Sequence, residues 1–354
     1  MKNHSFPEFS LRLGAFAISY QFNSDEMRPT VIGGESPRWI NMKRQDKNSS
    51  LYDDLFYKAL RIRLFEERIV ELYPSDKIQS PVHLSIGQEA VAVGICQALK
   101  PSDLLFCTYR SHAYYLAKGG DMPAMMAELY GKATGCGGGK AGSMHLAAPE
   151  VGLMGCSAVV ASTIPHAVGA ALAAKIQKQD KVIVAVFGDG ATDEGVYHES
   201  LNFAALHQLP VIFVCENNGL AVYSKVSARQ AYSILKHAGV YGIPTTHIPE
   251  GYDFLKVYET FAGIVAQVQR TRSPHFVEVQ TFRYMEHVGV GDDYRQGVRS
   301  RNELDAWQAS DPLMIRKDLA AKYTPIIQSE IDDTVRYAEA SPWPGRDELL
   351  KDVI

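Results

Sequence analysis

Cysteine is scarce in this chain of 354 residues: there are five, Cys96, Cys107, Cys136, Cys156 and Cys215. They are scattered, odd in number and lack the close spacing of a metal ligand set. That excludes a disulfide framework or zinc site and fits reduced, mostly buried thiols in a cytoplasmic protein. No apolar run approaches the roughly 20 residues that span a bilayer. The mildly apolar stretch 11–22 is flanked by Glu8 and Arg12, and no small-residue cleavage site follows, which argues against a secretion signal. Basic charge is not in excess: Lys and Arg number 36 against 40 Asp and Glu, for a formal net charge of −4. A phosphate-backbone binder needs a basic face, so nucleic acid is not expected. Internal repeats are absent, and no G-x-G-x-x-G follows a strand, so a nicotinamide site is unsupported. The glycine-dense stretch 131–142 imitates a P-loop, but Thr134 stands where the first glycine belongs and Ala141 follows Lys140 where Ser or Thr is needed.

What is present is ample apolar material, 46% of the chain, enough for a proper core. Residues 1–49 differ from the rest. They are polar, contain Pro7, Pro29 and Pro37, show no sustained period, and read as a loosely ordered extension. Met42 precedes the first strong helical pattern, and one hypothesis makes it the natural start. From 51 to 73 Leu55, Leu60, Ile62, Leu64, Ile69, Val70 and Leu72 recur at helical spacing, with Ser50 or Asp53 as the cap. Further helices are expected over 88–99, 122–130, 165–177 and 194–207. Residues 181–187 (KVIVAVF) and 210–215 (PVIFVC) are continuous β-branched runs, as in parallel strands buried on both faces. A later strand is expected over 275–282. The loop 283–301 is polar and glycine-rich, and the basic residues from Arg295 to Arg301 are read as solvated. The tail 302–354 reads as charged helices.

The legible chemistry lies where these strands end. Gly188-Asp189-Gly190 follows the first buried strand, and Asn217-Asn218-Gly219 follows the second. The separation, 218 − 189 = 29 residues, is what one right-handed strand–helix–strand crossover consumes, so Asp189 and Asn218 should meet at one sheet edge. A carboxylate, an amide oxygen and a backbone carbonyl form a hard oxygen set suited to Mg²⁺, which usually completes its octahedron with phosphate and water. Gly188 and Gly190 let backbone approach a phosphate, and a helix starting near Asp193 points its N-terminus there.

GDG, about thirty residues, then NN is the signature of thiamine diphosphate enzymes. The segment GDGATDEGVYHESLNFAALHQLPVIFVCENN resembles the α subunit of the 2-oxo acid dehydrogenase E1 component, the family of pyruvate, branched-chain 2-oxo acid and acetoin dehydrogenases. HLSIGQEAVAVGI, TYRSHAYYLAKG, GKATGCGGGKAGSMHL and FRYMEHVGVGDDYR resemble the same family in the same order, so the likeness covers about residues 50–340. It implies an α/β fold with a parallel sheet and flanking helices. The implied division is the 1–49 extension, a diphosphate- and Mg²⁺-binding domain over 50–300, and a helical tail over 301–354 that packs on the domain and a subunit interface.

The resemblance also implies roles at matched positions. Asp189 and Asn218 would ligate Mg²⁺ by their side chains and Leu220 by its carbonyl. Gly190 and Ala191 would offer N–H groups to the diphosphate beside Gly188, and Tyr109 and Arg110 would hold it too. Arg283 and His287 would close over the phosphates from a flexible loop. Ala158 and Val160 would contact the aminopyrimidine through backbone, and His83 would face the substrate. His83 and His287 are the expected proton donors, since histidine titrates near neutral pH. Plainer alternatives stand beside these: Tyr109 as a core aromatic, His83 as a loop residue near Pro81, His287 as an exposed one. His145, although in a matching motif, is given no role.

About fifty residues remain after 300, too few for a second, pyrimidine-binding domain. The chain alone is therefore expected to be inactive. An α₂β₂ heterotetramer with an E1 β subunit is implied, delivering an acyl group from a small 2-oxo acid to the lipoyl domain of an E2 acyltransferase. Pyruvate is the first substrate expected. Acetoin dehydrogenase, half of a split transketolase-type enzyme, and a non-catalytic regulatory or binding subunit are the alternatives. Some positions depart from the family pattern: Ala158 replaces a usual glycine, Met285 a histidine of the pyruvate enzymes, and Val288 a regulatory serine of the animal ones. Residues 217–224 (NNGLAVYS) also differ from the usual pyruvate pattern. These departures bear on substrate identity.

Overall fold

The structure, a computed structural model, describes residues 11–13, 16–18, 51–294 and 297–351. Two compact units are distinguished: Ser50–Trp343, and Met1–Ser49 together with Pro344–Ile354. In the smaller unit, β1 (Leu11–Leu13) and β2 (Phe16–Ile18) pair antiparallel with Leu11 opposite Ile18, and Arg346–Leu350 forms a 3-10 turn. The remaining expectations for the extension, the Met42 start and the Ser50 cap lie outside the described residues.

The larger unit runs α1 (Leu51–Leu72), α2 (Glu89–Ala98), β3 (Leu104–Thr108), α3 (His112–Lys118), α4 (Met122–Leu129), β4 (Leu153–Ser157), α5 (Thr163–Ile176), β5 (Ile183–Gly188), α6 (Gly195–Leu206) and β6 (Val211–Asn217). Then follow the two-residue strands β7 (Leu220–Ala221) and β8 (Ser224–Lys225), α7 (Val226–Arg229), α8 (Ile234–Gly239), β9 (Thr245–Ile248), α9 (Phe254–Thr271), β10 (His275–Gln280), α10 (Arg301–Gln308), α11 (Pro312–Ile315) and α12 (Lys317–Ala340). The helices and strands expected from periodicity fall within one or two residues of these bounds. One difference matters: between β5 and α6 lies a 3-10 turn, Asp189–Asp193, so the helix itself starts at Gly195.

Six strands form one sheet in the order β4-β3-β5-β6-β10-β9, every neighbouring pair parallel. Strand side chains alternate between faces, and here both faces are covered. Val184, Val186, Ile212 and Val214 belong to a core shared with α1, α2, α4, α9 and α12. Ile183, Ala185, Phe187, Val211 and Phe213 belong to a second core with α5, α6 and α8. Each buried valine or leucine contributes about 1.5–3 kcal/mol relative to exposure, which is why these strands read as unbroken apolar runs. The charged tail is amphipathic: Leu319, Ile327, Ile331 and Ala338 of α12 enter the first core.

The chain leaves β3 for β4 on one side and returns to place β5 on the other. Reversal of strand order opens a crevice at the carboxyl ends of the strands, where open α/β sheets bind ligands. Asp189 and Asn218 lie there.

Candidate functional site

A cavity of about 280 Å³ opens at the carboxyl ends of β3, β5 and β6. Its walls include Tyr109 and Arg110 after β3, Val160 after β4, the 188–191 turn after β5, and Asn218 and Leu220 after β6, with His287 reaching in from a later loop. Parallel pairing in register explains the convergence: Gly188 sits opposite Glu216, so Asp189 and Asn218 follow from neighbouring strand ends.

Asp189 is fully buried. Its Oδ2 is held by the Arg229 guanidinium at 2.5 Å, and its Oδ1 is buried with no hydrogen-bond partner. Burial raises its pKa, while Arg229 and nearby backbone N–H groups pull it back. Asn218 Oδ1 accepts the Leu220 N–H at 3.1 Å, and its amide meets Gln88 Oε1 at 3.4 Å. An orphaned carboxylate oxygen costs desolvation that a cation would return, so the donor set fits a hard metal. Among the described residues no three His, Cys, Asp or Glu side chains cluster, so a metal would rest on mixed protein and ligand oxygens. A Cβ at Gly188 would meet nothing within 4 Å, leaving room for a group against the backbone. Gly190 is needed for another reason: a Cβ there would come within 2.8 Å of Ala221 Cβ.

Arg110 is buried, donates to the carbonyls of Leu84 and, at 3.2 Å, His287, and has its pKa lowered by burial. Beside it, the rings of His83, Tyr109 and His287 form a cluster with centroids 4.5–5.7 Å apart. Tyr109 is therefore a cavity residue within an aromatic cluster. Burial first, then the Arg110 charge, lowers His83 to about 3 and His287 to about 4. Both imidazoles are neutral at pH 7 here. They can donate or accept as neutral N–H and N.

One expectation is corrected, that of a solvated loop over 283–301. Arg283 is 1% exposed and bonds the carbonyls of Met285 (2.7 Å) and Val222 (3.0 Å) and the buried Asp293 (2.9 Å). Val159 and Val160, next to Ala158, form part of the cavity wall, and the His83 ring packs on the lining residues Tyr109 and His287. The 283–301 loop is not simply solvated: Arg299 is buried, pairs with Asp293 at 2.7 Å, and stacks over the Phe282 and Tyr294 rings. Opposite charge lets the polar loop bury its arginines. It docks on the chain before α2, with Tyr284 N–H to Ile86 O at 2.9 Å and Gly289 N–H to Val82 O at 2.8 Å. Gly87 permits this close approach, since a Cβ there would lie 2.4 Å from the Phe282 carbonyl.

Some cavity residues carried no isolated sequence signal. Glu216, penultimate in β6, is buried, lines the cavity, and is raised to about 7 by burial, with Tyr114, Arg110 and Gln88 pulling the other way. Its neighbours explain it, and they come from distant segments. Behind the cavity, Glu66, His112 and Ser143 form a hydrogen-bonded chain (3.0 and 2.7 Å). All three are fully buried and none lines the cavity, so this is a brace and not a nucleophilic triad. The glycine-dense loop wraps an internal anion: Gly137, Gly139, Ala141 and Gly142 all donate N–H to the Glu128 carboxylate. That leaves it no role as a triphosphate cradle.

The profile of the dehydrogenase E1 component family matches residues 57–339. The α subunit of the acetoin:2,6-dichlorophenolindophenol oxidoreductase of Bacillus subtilis (strain 168) is 37% identical over 307 residues, 84% of this chain and 92% of that one. The pyruvate dehydrogenase E1 component α subunit of Zymomonas mobilis is 37% identical over 314 residues, covering 85% and 88%. A chloroplastic pyruvate dehydrogenase E1 component subunit alpha-3 of Arabidopsis thaliana is 36% identical over 327 residues, covering 87% and 74%. The chain belongs to the dehydrogenase E1 component family, among its α subunits, and is an oxidoreductase subunit acting on an oxo group. No helix among the described residues is long and apolar enough to cross a membrane.

Proposed function

We propose that this chain is the α subunit of a thiamine diphosphate-dependent E1 enzyme that decarboxylates a 2-oxo acid, pyruvate first, and passes the acyl group to a lipoyl E2. It works with a β subunit in an α₂β₂ heterotetramer in the cytoplasm. The observation that carries this reading is the unpartnered buried Oδ1 of Asp189 beside Asn218 at the strand ends.

Thiamine diphosphate supplies a nucleophilic ring carbon and an electron sink for loss of carbon dioxide. The residues here bind and orient it. Asp189, Asn218 and the Leu220 carbonyl would hold Mg²⁺. Arg110 would hold the diphosphate by charge, with Tyr109 and the backbone of Gly190 and Ala191 beside it. Val160 and Ala158 present backbone to the aminopyrimidine. Neutral His287 hydrogen-bonds toward the reacting end, and His83 backs it by ring contact. Arg283 fastens the loop that carries His287. Because the diphosphate neutralises Arg110, both imidazoles become easier to protonate in the loaded site.

Calorimetric titration of the chain, co-expressed with its β partner, tests the binding half of this reading with Mg²⁺ and thiamine diphosphate. Absence of binding would favour a non-catalytic subunit. Ferricyanide reduction screened over 2-oxo acids and acetoin tests the rest. Acetoin is the second reading, favoured by the similarity to the Bacillus subtilis protein and by Met285 in the docked loop.

A further inference from the structure

The segment after Asn218 doubles back onto the turn that carries Asp189. Arg229 places Nη2 2.5 Å from Asp189 Oδ2 and bonds Asp193 with Nη1. Gln230 donates to Thr192 Oγ1 and, at 2.6 Å, to Asp193 Oδ1. The Tyr232 hydroxyl donates to the Thr192 carbonyl at 2.9 Å. Residues 229–232 thus strap the 189–193 turn from outside. At the other end of the segment Val222 has φ of +54°, a left-handed conformation that a β-branched residue rarely adopts. Its carbonyl is tied to Arg283 at 3.0 Å. Between these points most residues are exposed, so little packing would hold the strap once its polar bonds change.

Arg229 and a divalent cation want the same negative charge. Asp189 is the sole carboxylate in the oxygen set read for the metal, and Arg229 already covers one of its oxygens. A divalent ion on Asp189 would sit within a few ångströms of the guanidinium, and like charges at that separation repel strongly. Asp193 offers a way out. Its side chain is 32% exposed, against 1% for Asp189, so the guanidinium can keep Asp193 and swing outward.

We propose that Arg229 is a resident counter-cation of the metal site: it neutralises Asp189 in the metal-free chain and is displaced when a divalent cation binds, loosening the 222–233 strap. This rests on the reading of Asp189 as a metal ligand. Coupling of this kind is reciprocal: whatever the metal does to the strap, the strap does to metal affinity.

The test uses the full chain without thiamine diphosphate and Mn²⁺ as probe, titrated by electron paramagnetic resonance, with D189N defining the site. R229Q is expected to bind Mn²⁺ at least about tenfold tighter than the natural chain, and R229K to fall between. D193N removes the guanidinium's alternative partner, so it is expected to weaken Mn²⁺ binding about threefold or more. Hydrogen exchange over 222–233 should rise on adding Mn²⁺ to the natural chain and stay unchanged in R229Q. Unchanged or weaker Mn²⁺ binding by R229Q, or a strap whose exchange ignores Mn²⁺, overturns the proposal and leaves the metal site standing. Failure of any chain to show D189N-sensitive Mn²⁺ binding overturns both.

Discussion

The depressed histidines make the stability of this protein depend on pH in a calculable way. His83 sits near 3 and His287 near 4, against about 6.5 for an unperturbed imidazole. Folded-state values below the unfolded ones mean that the unfolded chain takes up protons first. The stability contributed by keeping these groups neutral is therefore fully present above about pH 6.5 and is lost as pH falls. From pH 6.5 to 5, integrating proton uptake by the unfolded chain gives about 1.6 kcal/mol for each histidine. His83 is buried, whereas His287 is part-exposed and is discounted for solvent, leaving about 2–3 kcal/mol for the pair. Glu216 acts with the opposite sign. Its folded value is raised to about 7, so its contribution is present at low pH and lost as pH climbs past about 4.5. The two trends oppose each other in the natural chain, so only a comparison with variants isolates the histidines. Urea denaturation at pH 6.5 and 5.0 of the natural chain and of H83N/H287N should show the natural chain losing about 2–3 kcal/mol more. Inorganic pyrophosphate should shrink that difference in part, because burial depresses both rings most and the Arg110 charge, which it neutralises, comes second. An equal loss in the two chains would refute the placement of neutral histidines beside Arg110.

Other expectations follow from single contacts. E128A strips four N–H donors of their shared carboxylate. Some regain water because the loop is half-buried, so the expected cost is about 3–5 kcal/mol, read as a lowered urea midpoint. G190A forces a methyl group against Ala221 and is expected to weaken thiamine diphosphate binding by calorimetry more than tenfold, with little change in melting temperature. E216Q should remove the loss of stability between about pH 4.5 and 7, worth about 2–4 kcal/mol, from a pH series of denaturant midpoints. D189N should abolish Mg²⁺-dependent cofactor binding and lower the melting temperature, since it takes one of two carboxylate partners from Arg229.

The central crossover was legible from residue pattern alone. Residues 183–188 and 211–217 are β-branched runs buried on both faces, and that pattern has one structural solution, two parallel strands around a helix. The spacing of Asp189 and Asn218 follows from it. Helix α9 was not read from the sequence, although Asp253 caps it and Phe254, Val257, Phe261, Ile264, Val265 and Val268 are its buried residues. Nor were strands β3 and β4, because each has only five residues and an irregular burial pattern. Where a side chain points depends on partners far away in sequence. Only the tertiary structure put Asp293 beside Arg283, turning the arginine inward, and only it brought Glu216, Tyr114 and Gln88 together. The same holds for Arg229, an unremarkable basic residue in the sequence. Its charge acquires meaning because the fold lays it across a buried carboxylate 40 residues away. Periodicity and spacing fix which backbone runs lie side by side; burial and charge pairing, which depend on every neighbour at once, decide what each side chain does there.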